Sequence, residues 1–545
     1  AVTTGNNNSA VGHGALPSNT TGSNNTALGW STLNQNTTAD NNVAIGYQAM
    51  LLNTTGTSNV AVGRNALDSN TTNSYNTAVG YEALTALNGG QYQTAFGYQA
   101  GKALTTGSSS TVIGSKAMLV ATTAAQCTAV GEGSMIALTT GNYNVAVGGQ
   151  TLEAITTQAN NTAIGFQALE DNTAADNTAV GTYALTANTT ASNNTAVGKD
   201  ALKTTTTGDR NVAIGNQALE AHTGAGCVAV GYYAMNLNTA NSNTAIGAYA
   251  MDANTTGGDN CALGSQSLSA NTTGASNSAF GVGALGANTT ASYNSSFGAG
   301  SLQTNTTGAR NTAVGYNALN DNTTASYNTA VGDNAMAVNT TGAENTAVGQ
   351  QSLDANSTGS NNTALGVNAL GANTSAGRNT GVGYEALKTN QIGARNTAVG
   401  YRALATHAPG SASDTQNVAV GYAALELDTA GKNNTGVGAY ALQANTTADY
   451  NTAVGYIAMA VNTTGSENVA VGSFALDANT TASYNTAVGY AALSANTTGT
   501  ANTALGQSAG ITQTTASGCT FIGTNAGRTN NTNDNVAVVQ GALYA

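Results

Sequence analysis

The side chains that could act as nucleophiles, metal ligands or acid–base groups are sparse in this chain. Three histidines, His13, His222 and His407, lie far apart, and the four cysteines, Cys127, Cys227, Cys261 and Cys519, show no metal-ligand spacing among themselves or with histidine. The 25 Asp and Glu residues are dispersed, so no carboxylate pair for glycoside hydrolysis stands out. None of the 67 glycines belongs to a phosphate loop, because no Gly-Lys-Ser/Thr follows. Two chemistries are abundant. Asn-X-Ser/Thr triplets such as Asn19-Thr20-Thr21 and Asn322-Thr323-Thr324 are potential glycan acceptors. Tyrosines at recurring positions (Tyr47, Tyr81, Tyr98, Tyr316, Tyr490) either stack on one another or offer an aromatic stripe to carbohydrate. No catalytic, cofactor-binding or metal-binding set is predicted, and the chain reads as a non-enzyme that needs no cofactor.

What positions these residues is a repeat. Asn311–Tyr327 reads NTAVGYNALNDNTTASY, and Asn328 begins the same phrase again. Indexed by its glycine (Gly315 here), the unit recurs from Gly12 to Gly523 as 31 coils; of the 30 intervals, 26 are 17 residues, three are 16 and one is 21. So short a unit cannot hold two packed helices and their turns, whereas one turn of a β-solenoid fits, with two short strands and two bends. The fold predicted is all-β, a parallel β-solenoid running through residues 1–545 as one continuous domain, with a longer loop at 405–416 and a terminal coil at 524–545.

Column chemistry assigns the faces. Val, Ile, Leu or Phe precedes the glycine, Thr or Val stands two earlier, and Leu or Met stands four after it in 28 of the 31 coils. These positions predict an inner core, represented by Val314, Leu319, Val331 and Met336. Between Thr and Val the residue is nearly always Ala, and a second Ala stands three after the glycine. A solvated face would drift among polar residues, so Ala313, Ala318, Ala330 and Ala335 are expected to pack against neighbouring chains. Asn recurs before the strand and in Asn-Thr-Thr, where stacked side chains can hydrogen-bond from coil to coil. Three of the cysteines replace the Asn four residues before the glycine, and all four are expected to be free, packed thiols.

Bulk properties bound the partners. Only 7% of residues are charged and the net charge is −12. Lys and Arg do not cluster in the sequence, so no nucleic-acid or anionic-membrane footprint is expected. No apolar run is long enough to span a bilayer, and no signal peptide is visible. Gly101, Gly510 and Gly527 replace the core Leu or Met, which predicts thin or rearranged coils. The 21-residue interval contains His407, Pro409 and Asp414, a candidate contact loop that either protrudes toward a receptor or is a tolerated surface insertion.

The iterated phrase Asn-Thr-Ala-Val-Gly-Tyr-x-Ala-Leu, with a Ser/Thr/Gly bend and an immediate restart, resembles the YadA-like head repeats of trimeric autotransporter adhesins. It is also similar to repeats of bacteriophage tail fibres. The resemblance covers Val11 to Val539. It implies a left-handed β-roll wound by three parallel chains, a homotrimeric fibre that mediates surface attachment. The partner implied is a host-cell or surface receptor, with carbohydrate as one candidate class. The implied location is extracellular, on a cell surface or on a virion tail. A polysaccharide-depolymerising tailspike and an ice-binding solenoid are the weaker alternatives, the latter lacking Thr-x-Thr ranks.

Overall fold

The structure, a computed structural model, describes residues 4–529, 531–540 and 542. The final part of the expected terminal coil therefore falls partly outside the described residues. The chain forms a parallel β-solenoid of about 31 turns, with no helix among the described residues. It groups into two compact units, Ala1–Thr273 and Gly274–Ala545. In the first unit, three-residue strands run from Ser9–Val11 to Cys261–Leu263. In the second they run from Ser278–Phe280 to Val536–Val538. Within each unit every such strand pairs in parallel, residue for residue, with the strand one coil on. Thr312, Ala313 and Val314 thus face Thr329, Ala330 and Val331.

Each coil contributes one strand to this stack, not the two expected. The segment after the unit glycine is instead a ribbon in which the sign of φ alternates. In the coil of Gly315, Asn317 has φ 53° and Leu319 φ 52°, with Ala318 between them outside the left-handed region. The alternation points successive amides in opposite directions along the stack. Asn317 N–H donates back to Ala299 O at 3.1 Å, and Leu319 N–H donates forward to Ala335 O at 3.0 Å. Ala318 N–H closes a tight turn onto Gly315 O at 3.4 Å. Left-handed leucine costs about 1–2 kcal/mol. Here it is offset by burial of the side chain and by two-sided backbone bonding.

The faces of the strand are inverted relative to expectation. In every three-residue strand after Ser9–Val11 the middle residue is buried and the two flanking residues are not. Ala313, Ala318, Ala330 and Ala335 are fully buried inside their own coils, so they are not free to pack between chains. Leu319 and Met336 are buried as expected, but Val314 is 37% exposed and Val331 is half-buried. The reason is steric. Two coils carry Gly in place of the strand Ala, and a methyl added at one of them, Gly381, would already lie 3.3 Å from Leu370 Cγ of the preceding coil. Behind the strand a tube this narrow has room for one large side chain per coil, the Leu or Met, and the strand must present its smallest residue inward.

The exceptions obey the same volume rule. Phe521 occupies the Ala position and is wholly buried. It fits because Gly510 and Gly527 have vacated the Leu positions on either side of it; a methyl at Gly510 would come within 2.8 Å of the Phe521 ring. Val112 and Gly101 form the corresponding smaller exchange. The three glycines predicted to thin their coils thus make room for a larger neighbour, two of them for Phe521 and one for Val112. Where Ser or Thr replaces the second Ala, its hydroxyl donates to the unit glycine carbonyl, as from Thr151 to Gly148 at 2.9 Å and from Ser352 to Gly349 at 2.8 Å.

The remaining interior is polar. Asn311 and Asn322 represent two buried asparagine columns. In the first, Asn328 N–H donates to Asn311 Oδ1 at 2.9 Å, while Asn311 Nδ2 donates to Ala325 O at 2.9 Å. In the second, Asn322 Nδ2 donates to Asn305 Oδ1 at 2.9 Å and to Ala325 O at 3.0 Å. Stacked amides therefore satisfy the bends without charge, inside the coil rather than on its rim. In five successive coils the second column becomes apolar, as Leu87, Leu104, Ala121, Leu138 and Ile155, all buried.

Candidate functional site

Two features depart from a self-contained tube. The first is the outward face of the strands. Thr or Val and then Val, Ile, Leu or Phe point to solvent in coil after coil, and Tyr often follows the glycine beside them. Phe96, Ile164, Ile214, Leu365 and Leu505 are among the exposed members. The tyrosines stack while remaining open on their outer side: Tyr384, Tyr401 and Tyr422 have ring centroids 5.3 and 5.0 Å apart, and Trp30 lies 4.7 Å from Tyr47. Stacking between coils and an aromatic stripe are thus the same arrangement.

The second feature is the long coil between Gly400 and Gly421. Its extra residues do not protrude as a free loop. Ser413–Asp414 adds a short parallel strand beside Gly393–Ala394. Thr415 Oγ1 donates to Asn396 Oδ1 at 2.9 Å, and Ala408 N–H donates to Thr429 O at 2.8 Å. Of the three residues proposed for contact, His407 and Pro409 are buried and only Asp414 is exposed. Asp414 pairs with Arg395 at 2.7 Å.

His407 belongs to the second asparagine column, which runs here as Asn390, His407, Asp428 and Asn445, all buried. His407 Nδ1 lies 2.7 Å from Asp428 Oδ2, and Asn445 Nδ2 donates to Asp428 Oδ1 at 2.6 Å. Burial pushes the Asp428 carboxyl above its ordinary 3.8, against the opposing hydrogen bonds of His407 and Asn445. The folded value lies above the unfolded one. The stability tied to protonated Asp428 is therefore complete below about pH 3.8 and is lost as pH rises through the elevated value. Asp428→Asn removes the titrating carboxyl, so its thermal stability relative to the parent should rise as pH increases above about 3.8. Parallel melting curves against pH for parent and variant would contradict this.

Some charges elsewhere are paired across coils. Lys102 meets Glu82 at 2.6 Å, and Arg402 meets Glu426 at 2.9 Å. In each pair the cation is exposed and the carboxylate largely covered. Cys127, Cys227 and Cys519 are buried free thiols and Cys261 is half-buried. Burial raises the thiol pKa of Cys127, Cys227 and Cys261, which keeps them weakly nucleophilic. Among the described residues, no group of three or more His, Cys, Asp and Glu is placed to hold a metal ion, and no helix is long and apolar enough to cross a membrane. A concavity of about 350 Å³ opens where Gly133 and Gly149 remove side chains beside Lys116, Glu132, Glu153 and Phe166.

The sequence places cations singly, yet the coil period brings two together. Arg378 and Arg395 are 17 residues apart and occupy the same position in successive coils. They line a concavity of about 290 Å³ with Thr358, Ser360, Asn361 and Asp414. Their separation by one repeat was the signal available in the sequence.

The structure defines the protein as a parallel β-solenoid with an apolar outer sheet face and one modified coil. No protein-family model matches the chain, and no curated protein matches it either.

Proposed function

We propose that this protein is a structural and adhesive fibre in which several copies, three by the resemblance of its repeats to YadA-like heads, pack through the outward strand face. The observation that carries the reading is the unbroken apolar column of Val, Ile, Leu and Phe on that face within each unit. Contiguous apolar surface of this kind on a soluble chain marks an interaction site. Covering each half-exposed side chain gains about 1 kcal/mol. Repetition in register multiplies that gain while charge stays low. A second copy of the same chain is the natural occupant, because its columns carry the same residue spacing. The associated solenoid serves as a stiff spacer that presents the bends and the long coil to a surface receptor, on a cell or a virion tail. The role is mechanical, without catalysis.

The test is Val314→Glu with Val331→Glu. Sedimentation should find the parent as a trimer and the double variant as a monomer, with the β-sheet circular dichroism of the parent retained. A monomeric parent, or a variant that associates as before, would overturn the reading.

A further inference from the structure

We infer that the concavity beside the long coil is a binding site for an anionic carbohydrate, one bearing carboxylate or sulfate groups. This rests on the fibre reading above and names the receptor chemistry. The position five residues before the unit glycine is left-handed in coil after coil, and its side chains project in a file along the bend. Tyr75 and Tyr92 show the spacing this imposes, with rings stacked at 5.3 Å. Through the whole column, Arg378 and Arg395 are the only two cations in consecutive coils. Both are left-handed, at φ 61° and 64°. Arg378 N–H bonds to Ser360 O at 3.0 Å and Arg395 N–H to Gly377 O at 3.3 Å, so the two side chains start from a fixed register.

Like charges held one coil apart repel unless something neutralises them. At Arg310 the same column solves a single charge by sandwiching it, 5.6 Å from each of the Tyr293 and Tyr327 ring centroids. Here there is no aromatic neighbour. The chain instead spends its one 21-residue interval on an ordered strand that delivers Asp414 to Arg395 at 2.7 Å. That neutralises one of the two charges. Among the described residues, the Arg378 guanidinium has no carboxylate, ring or hydrogen-bond partner. It faces a concavity of about 290 Å³ whose other walls are the polar side chains of Thr358, Ser360, Asn361 and Asp414. A planar guanidinium fits a carboxylate or sulfate through two parallel N–H bonds. Hydroxyl and amide groups around it suit sugar hydroxyls. The ligand is thus a saccharide with an acidic group, and its charge replaces the missing counterpart of Arg378.

The full chain should be titrated with three probes by calorimetry: a heparin-derived oligosaccharide for sulfate, an oligogalacturonide for carboxylate, and a neutral dextran oligosaccharide. At least one acidic probe should bind in a salt-dependent manner, and dextran should not. Arg378→Gln should weaken that binding at least tenfold, and Asp414→Asn, which releases Arg395, should strengthen it. Arg310→Gln should leave it unchanged. Equal binding by Arg378→Gln, equal weakening by Arg310→Gln, binding of dextran alongside the acidic probes, or binding of neither acidic probe would overturn the proposal. Sedimentation of the same samples reports association separately, so loss of the fibre reading and loss of this site are distinguishable.

Discussion

Ala330→Glu is expected to break the coil stack within a chain, whereas Val331→Glu one residue later should leave the chain folded. Ala330 has 0% exposure, and the adjacent coils place Ala313 and Ala347 against it in register. A glutamate there must bury a carboxyl among the strand alanines and the core leucines, and no Lys or Arg is buried among the described residues. An uncompensated buried charge costs at least about 3 kcal/mol, even when protonation relieves part of it. In a solenoid each coil is stabilised chiefly by its two neighbours. The damage should therefore be local, seen as a new low-temperature melting transition and as proteolytic cleavage near residue 330. Its midpoint should not depend on protein concentration, because the position is internal to the chain. If Ala330→Glu melts as the parent does and only lowers the association state, the assignment of the alanine face to the interior fails.

Gly315→Ala should be nearly as damaging, although it adds a single methyl at a half-buried bend. Gly315 has φ 135°, and the 31 unit glycines all lie between 123° and 146°. No side-chain-bearing residue adopts this region readily, at a cost of about 1–3 kcal/mol. The added methyl would also stand 2.4 Å from Gly332 O and 2.7 Å from Gly332 C, which are backbone atoms of the next coil. Relief requires the coils to move apart. Gly315 N–H donates to Phe297 O at 2.8 Å, a bond that such a movement would lengthen. We expect a total loss of about 3–5 kcal/mol across that coil interface. Hydrogen exchange at the amides of Val314–Leu319 should report it, and unchanged protection there would contradict the argument. By contrast Asn317→Gly, at φ 53°, relieves a left-handed residue and should be tolerated.

The solenoid class, the coil period and the coil count were legible because identical residues must stack when a short unit repeats in register. The coil-to-coil asparagine bonding was legible for the same reason: a column of Asn can satisfy itself, and a column of Lys cannot. The burial of Leu319 and Met336 followed from their size and regularity. The free, packed thiols followed from the cysteines' places in repeat slots.

What the sequence determined by itself, then, is which residues share a column. Which side of the wall a column faces was decided only by the tertiary structure. Alternation along the strand put Ala330 opposite to Thr329 and Val331, but it left the sign open, and the larger residues were the natural choice for the core. The tube's width reverses that choice, since one Leu or Met per coil already fills the space behind the strand and only a methyl fits beside it. The left-handed Leu319 was equally hidden, because its conformation is imposed by amides that must reach both neighbouring coils, not by its own preference. His407 looked like a loop residue, yet it continues the Asn390 column and finds Asp428 there. Arg378 and Arg395 looked isolated until the 17-residue turn set them side by side. In each case distance through space is set by the period, and facing is set by the volume the coil can enclose.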